Sequence, residues 1–189
     1  LYNSLAHRTT WLRSDFTTLN GMEHHATDLL AVAEQLARER HAGQTDKAGA
    51  AYWTHPQRVS QGCTSDEARI AGWLHDLIED TGTTAEELLT LGFPPDVVAA
   101  VQLDTRRVDE SYMDYIQRIV DACGSQDPAA ARAGRIAREV KMSDLRDNMN
   151  LDRLPTVTDT DRARVEKYRA AYSVLENSCA PAPEIGTTR

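Results

Sequence analysis

Apolar residues return to one helical face along most of this chain. From His25 to His41 they recur at helical spacing, and Gly43 then ends the pattern. The same spacing predicts helices over residues 65–80, 96–103, 112–122, 133–151 and 162–176, and a short helix near residue 54. Almost no segment alternates with period two, the pattern that is typical of a half-buried strand. The sequence therefore predicts an all-α fold.

The ends of the predicted helices carry recognisable signals. Ser65 is a candidate N-cap for the helix over 65–80. Thr84 followed by Glu87 predicts a capping box at the start of another helix. Pro56 suits the first turn of the short helix, because its missing N–H is not needed there. The chain is thus divided into short helices that are joined by loops.

Length and charge narrow the functional classes. The chain has 189 residues, of which 41% are hydrophobic, so it can bury one core and one domain is expected. A formal net charge of −8 argues against nucleic acid or an anionic membrane as the main partner, and a polyanionic substrate would need a local basic pocket. No apolar run approaches the roughly 20 residues that span a bilayer. We therefore expect a cytoplasmic protein.

The two ends of the chain differ from its middle. Residues 1–21 are polar, weakly patterned and without the features of a secretory signal, whereas Met22 opens the first strongly helical stretch. We interpret 1–21 as an N-terminal extension, with Met22 as a candidate natural start. Residues 22–179 form the expected domain, and the Pro-containing segment 180–189 is expected to be a mobile tail.

One segment, LHDLIEDT at 74–81, carries four ionisable groups between apolar residues. Residues four apart share a helix face, so His75 is expected to lie over Glu79. Asp76 is expected to lie over Asp80 in the same way. Carboxylates crowded beside an apolar surface are costly unless a cation or protons compensate them. Taken alone, the segment fits either a metal site or a solvated acidic face.

Two distant segments change this assessment. His55 lies upstream at a predicted helix start, and Asp144 lies far downstream within KMSDLRDN. A histidine, a His-Asp doublet and a distant aspartate in this order resemble the HD superfamily of metal-dependent phosphohydrolases. HAGQ at 41–44, KAGAAYWTHP at 47–56 and HDLIEDT at 75–81 are similar to the hydrolase domain of the RelA/SpoT family and the small stand-alone alarmone hydrolases. The similarity extends in order from about residue 25 to residue 168.

This resemblance implies a single-domain HD-type helical bundle that removes the 3′-pyrophosphate of (p)ppGpp with one divalent ion, manganese. The implied metal ligands are His55, His75, Asp76 and Asp144. Glu79 and Asp80 would orient or deprotonate the attacking water, as suits carboxylates beside a metal. The implied substrate-binding residues are Lys47, Arg106, Asn148, Arg164 and Tyr168.

Two positions depart from the family pattern. Asp46 stands where the alarmone hydrolases usually place an arginine that stacks on guanine, and Asp147 stands where the long enzymes often have histidine. An acidic group cannot supply a cation–π contact, so the nucleobase is left open. A second interpretation is an HD phosphatase that acts on another phosphorylated nucleotide, such as the 2′-phosphate of NADPH.

A third interpretation is a non-catalytic nucleotide-binding regulator that keeps the HD scaffold. The presence of both Glu79 and Asp80 argues against it, because a sensor does not need a carboxylate that activates water. All three interpretations imply a small phosphorylated nucleotide as the ligand. The sequence leaves a homo-oligomer open.

Overall fold

The computed structural model describes residues 26–178. The predicted extension at 1–21 and the predicted tail at 180–189 lie outside these residues. In chain order the α-helices are α1 Ala26–Arg40, α2 Thr54–Gln61, α3 Asp66–Leu74, α4 Leu77–Thr81, α5 Ala85–Thr90, α6 Pro95–Asp104, α7 Tyr112–Cys123, α8 Pro128–Met149 and α9 Asp159–Glu176. A short 3-10 helix, Leu151–Arg153, follows α8.

The described residues contain no strand. Their extended backbone pairs only at an isolated bridge between Thr45 and Ala51. The prediction of an all-α fold is therefore confirmed. No helix in the described part of the chain is both long and apolar enough to cross a membrane.

Helix α8 lies at the centre of the fold and packs against α2, α3, α6, α7 and α9. Its inner face buries Ile136 and Val140. Gly134 allows α7 to come close, because a Cβ at this position would lie 2.4 Å from the backbone nitrogen of Cys123. Asp144 lies on the same buried helix, with only 5% of its surface exposed. The central helix thus carries a carboxylate into the interior.

The predicted single helix over 65–80 is wrong, because α3 and α4 are separated by a turn at His75 and Asp76. The Ser65 cap at its start is confirmed. Nδ1 of His75 lies 2.8 Å from the carbonyl oxygen of Gly72. In a continuous helix the carbonyl oxygen of Gly72 would accept a hydrogen bond from the backbone N–H of Asp76. The ring of His75 competes for this acceptor. This local hydrogen bond accompanies the break.

The predicted capping box of α5 is only half formed. The Thr84 hydroxyl accepts a hydrogen bond from the backbone N–H of Glu87 at 3.2 Å, but the Glu87 carboxylate pairs with Arg40 of α1. A complete capping box begins α9, where Thr158 and Asp161 exchange side-chain and backbone hydrogen bonds. The start of α9 therefore lies earlier than the apolar spacing predicted.

Gly72 allows α3 to approach α2, because a Cβ at this position would lie 2.8 Å from Cα of Ser60. We expect Gly72→Ala to lower the free energy of unfolding by about 1–3 kcal/mol through overpacking. Denaturant unfolding measures this change. Gly124→Ala is the control, since its new Cβ would meet no atom closer than 3.9 Å. Equal losses in the two variants would contradict the role given to Gly72.

Candidate metal centre

The structure brings the four predicted metal ligands together. His55 comes from α2, His75 and Asp76 from the turn after α3, and Asp144 from α8. One ligand atom from each of the first three lies within 4.8 Å of the others. The Oδ1 atom of Asp144 lies 3.2 Å from Nε2 of His55. Two helices and one turn from separate parts of the sequence thus converge on one point.

The ring of His75 has one nitrogen directed to the backbone and one directed to this point. Its Nδ1 faces a carbonyl oxygen, which can only accept, so this nitrogen carries the hydrogen. Its Nε2 is buried and forms no hydrogen bond with the described part of the chain, although Oδ2 of Asp76 lies 3.1 Å away. Burial lowers the pKa of His75, but the carboxylates of Asp76 and Asp144 outweigh burial and raise it, so they favour a positive charge at this nitrogen, which a proton or a metal ion can supply. This nitrogen therefore fits a metal ligand.

The ring of His55 is oriented in a comparable way by a carboxylate. Its Nδ1 lies 2.7 Å from Oδ2 of Asp147, which leaves Nε2 facing Asp144. Burial lowers the pKa of His55, but the hydrogen bonds with Asp144 and Asp147 outweigh burial and raise this pKa to about 10. In the metal-free protein the imidazole is therefore protonated at neutral pH.

Both candidate carboxylate ligands are ionised. Burial opposes the charge on Asp144, but Lys141 and His55 hold the pKa of this carboxyl well below its usual range. Burial likewise raises the pKa of Asp76, but the nearby His75 outweighs burial and lowers this pKa. Two imidazoles and two carboxylates form a mixed nitrogen and oxygen set that suits manganese, iron or zinc. The donor set therefore fits a divalent cation.

Metal binding should strengthen as the pH rises, because a proton on His55 must leave before its Nε2 can bind an ion. We expect the affinity for Mn²⁺ to rise about tenfold per pH unit for each proton released, at pH values below the raised pKa. Titration calorimetry in buffers of different ionisation enthalpy counts these protons. Metal binding without proton release at pH 7 would contradict the protonated state of the imidazole.

Tyr52 is a site residue to which the sequence analysis gave no role. Its hydroxyl donates a hydrogen bond to Oδ2 of Asp76 at 2.8 Å and lies 3.2 Å from Oδ2 of Asp80. Burial and both carboxylates raise the pKa of Tyr52, so the hydroxyl keeps its proton. The centroid of its ring lies 4.8 Å from that of His41 and 5.9 Å from that of His55. Its position three residues before a predicted ligand was the available signal.

The two carboxylates that were predicted to act on water have different surroundings. Both lie on α4 and are exposed. Glu79 lines the central cleft, and its Oε2 accepts a hydrogen bond from the backbone N–H of Arg106 at 3.1 Å. The hydroxyl of Tyr52 links the carboxylate of Asp80 to that of Asp76, and Asp80 is not among the residues that line the cleft. Glu79 is therefore better placed to meet a molecule in the cleft.

A cleft of about 470 Å³ opens beside the candidate ligands, and its volume lies in the usual range for small-molecule sites. All five predicted substrate-binding residues line it: Lys47, Arg106, Asn148, Arg164 and Tyr168. Three further cations that line it were not predicted to bind substrate: Lys141, Arg153 and Lys167. The same cleft is also lined by six carboxylates: Asp46, Asp76, Glu79, Asp104, Asp144 and Asp161. The cleft thus brings cations that could meet phosphates close to the acidic groups of the candidate metal centre.

Neighbouring groups hold several of these side chains. The amide of Asn148 donates to Oδ1 of Asp144, so this asparagine orients a candidate ligand. The guanidinium of Arg106 donates to the carbonyl oxygen of Glu110 from Nε and Nη2, at 3.0 and 2.7 Å. Lys141 donates to Oδ2 of Asp144 at 2.7 Å and so offsets the acidic cluster. Contacts within the chain therefore hold these groups in place.

Asp46 is engaged in its own loop. Its Oδ1 accepts hydrogen bonds from the backbone N–H groups of Ala48 and Ala50, both at 2.9 Å. Its Oδ2 lies 3.3 Å from Nη1 of Arg153. An aspartate that binds backbone groups ahead of it stabilises a turn. The departure from the family pattern at Asp46 therefore has a structural role in the loop before α2.

The helical bundle, with two histidines and two aspartates meeting at the end of a cleft, defines a metal-dependent phosphohydrolase of the HD type. The chain belongs to the HD domain family, whose model matches residues 33–147. HD domains bind divalent metals, and the cluster of His55, His75 and Asp76 agrees with that property.

One solved structure similar to this chain is that of a metazoan ortholog of SpoT that hydrolyses ppGpp and plays a role in starvation responses. The two chains are 24% identical, the match covers 84% of this chain and 91% of the other, and the TM-score is 0.60. At this identity the likeness shows a shared fold. No curated protein sequence matches the chain significantly.

Proposed function

We propose that this HD protein is a (p)ppGpp-type 3′-pyrophosphohydrolase, which releases pyrophosphate from an alarmone nucleotide. The observation that carries the proposal is the buried Nε2 of His75, which forms no hydrogen bond with the described residues and lies among two carboxylates and a second imidazole, at the end of a cleft with several cations. The metazoan protein of similar fold hydrolyses ppGpp, which supports this substrate class.

In this proposal the metal ligands are His55, His75, Asp76 and Asp144. These residues would hold a divalent cation, which we propose is Mn²⁺, and the bound ion would lower the pKa of water and polarise a phosphoryl oxygen. Glu79 takes the proton of the attacking water from the side of the cleft. The water oxygen forms a bond to the phosphorus attached to the 3′ oxygen. The bond between this phosphorus and the 3′ oxygen breaks, pyrophosphate leaves, and the 3′ oxygen takes up a proton. Asp80 positions Tyr52 and through it Asp76.

The cations of the cleft would bind the phosphates. Lys47 and Arg164 line it, and both lie near Asp161 of α9, at 3.6 and 4.0 Å. Burial lowers the pKa of Lys167, and repulsion from nearby Arg106 and Arg164 lowers it further. An anion with several phosphates would relieve this repulsion.

The remaining assignments follow from the same proposal. We infer that residues 22–179 form the HD domain and that the protein acts in the cytoplasm on a small nucleotide. Asn148 and Tyr168 would contact the nucleotide, since both line the cleft. The net charge of −8 favours neither nucleic acid nor an anionic membrane as a partner.

One observation favours a second candidate function. Residue 46 is an aspartate, so it offers no cation to a guanine ring. Its carboxylate is instead bound to the backbone of its own loop. An adenine alarmone, or NADPH dephosphorylated at its 2′-phosphate, would not need that contact.

A release assay with Mn²⁺ tests the proposal. The panel consists of ppGpp, pppGpp, ppApp, NADPH and simple nucleotides, and phosphate and pyrophosphate are measured separately. We expect pyrophosphate from an alarmone as the main product. Phosphate from NADPH without pyrophosphate from any alarmone would establish the second candidate instead. Binding of these nucleotides without any release would indicate the non-catalytic regulator.

A further inference from the structure

Asp147 lies directly behind a candidate metal ligand. Its Oδ2 lies 2.7 Å from Nδ1 of His55, and only 8% of its side chain is exposed. Two guanidinium groups hold the same carboxylate. Arg58 donates to Oδ1 from Nε at 2.6 Å and to Oδ2 from Nη2 at 3.1 Å. Arg153 donates from Nη2 to Oδ2 at 3.1 Å.

Arg153 also reaches the loop over residues 44–51. Its Nη2 donates to the backbone carbonyl oxygen of Asp147 at 2.9 Å, while its Nη1 lies 3.3 Å from Oδ2 of Asp46. Asp46 in turn holds the backbone of its loop. One guanidinium therefore joins the two positions at which this chain departs from the family pattern.

We propose that Asp147 is a positioning residue that fixes the ring of His55 for metal binding, and that Arg153 fastens Asp147 to the loop over 44–51. The loop beside the cleft and the metal centre are then held by one ionic bridge, Asp46–Arg153–Asp147. This inference rests on the assignment of His55 as a metal ligand in the proposed function.

The physical basis is the effect of a carboxylate on a coordinating imidazole. A histidine that donates its other ring N–H to a carboxylate is held in one tautomer and one orientation, and it becomes a stronger ligand. Asp147 is nearly buried between two arginines, so solvent screens these contacts little. A bridge that fixes the ring therefore also limits how far the loop can move relative to it.

Calorimetric titration with Mn²⁺ tests the role of Asp147 without any substrate. We expect Asp147→Asn to weaken Mn²⁺ binding by about 10- to 100-fold. Asp147→Glu keeps the carboxylate and should restore part of this loss. Asp152→Asn is the matched control, because Asp152 is exposed on the neighbouring 3-10 helix, and it should bind as the wild type does. Wild-type affinity in Asp147→Asn would overturn the inference.

Hydrogen–deuterium exchange tests the link to the loop. In the wild type, Mn²⁺ should slow the exchange of residues 44–51, and in Arg153→Gln it should not. Arg153→Gln should also weaken Mn²⁺ binding, although Arg153 touches no candidate ligand. Arg146→Gln is the control, since Arg146 is exposed and, within residues 26–178, donates to the carbonyl oxygen of Met142 in its own helix. Equal Mn²⁺ protection of the loop in wild type and Arg153→Gln would overturn the bridge.

His55→Ala separates this inference from the proposed function. If His55→Ala binds Mn²⁺ as the wild type does, the metal assignment itself fails. If His55→Ala loses the ion while Asp147→Asn keeps full affinity, only the positioning role fails. Should Asp147→Asn not fold, Arg153→Gln decides, because it leaves Asp147 in place and wild-type Mn²⁺ affinity in it would overturn the bridge.

Discussion

Replacing Asp144 by alanine is expected to abolish both the bound metal and the phosphohydrolase activity. The carboxylate of Asp144 is buried, lies 3.2 Å from Nε2 of His55 and accepts a hydrogen bond from Lys141 at 2.7 Å. Its removal leaves a cation and an imidazolium facing each other where a metal ion has to bind. A site that has lost a carboxylate ligand and holds two uncompensated positive side chains cannot bind a divalent metal ion.

Metal content by mass spectrometry and turnover on the same samples check this result. His75→Ala provides a second arm, because it removes the imidazole whose buried Nε2 faces the carboxylate of Asp76 at 3.1 Å without forming a hydrogen bond in the described part of the chain. Asp152→Ala is the control, and it should keep both metal and activity. Full activity in Asp144→Ala, or in the wild type after exhaustive chelation, would refute the metal assignment.

Replacing Glu79 by glutamine is expected to slow turnover by about two to four orders of magnitude while the metal stays bound. Glutamine removes the proton acceptor but keeps an oxygen that can accept the hydrogen bond from the backbone N–H of Arg106. The local structure should therefore persist. Asp80→Asn is expected to have a smaller effect, because Asp80 acts through Tyr52.

Single-turnover kinetics and metal analysis separate the two roles that Glu79 could have. Loss of the ion in Glu79→Gln would make this residue a ligand. Wild-type turnover would remove it from the chemistry altogether. A larger loss in Asp80→Asn than in Glu79→Gln would exchange the roles of the two carboxylates.

Helical spacing predicted the all-α fold because each helix buries one apolar stripe. It failed at two local features of the backbone that apolar spacing does not register. The helix over 65–80 is broken at His75, whose ring binds the carbonyl oxygen of Gly72. The start of α8 at Pro128 was also missed, because its first turns are rich in small residues that carry little apolar signal. The aspartate before that proline is the N-cap and was the available signal.

At the candidate site, residue types and order were enough to name the histidines and aspartates that the structure brings together. The contacts around them were not predictable, since they join distant parts of the chain. Asp147 meets His55 across 92 positions, and Arg153 meets Asp46 across 107. Which residues become neighbours over such separations is decided by helix packing.

Asp46 shows how the structure changes an expectation. In the sequence, Asp46 stands where the alarmone hydrolases usually have an arginine, so the cation that stacks on guanine is missing. In the structure its carboxylate holds two backbone N–H groups and faces Arg153. An arginine introduced here would lose these bonds and lie beside a like charge. We therefore do not expect Asp46→Arg to improve turnover of ppGpp.

A crystal structure grown with Mn²⁺, with anomalous diffraction data, tests the metal centre most directly. The account predicts one anomalous peak at coordination distance from Nε2 of His55, Nε2 of His75 and the carboxylates of Asp76 and Asp144. A peak bound by other residues would contradict it, as would the absence of any peak in crystals of an active preparation.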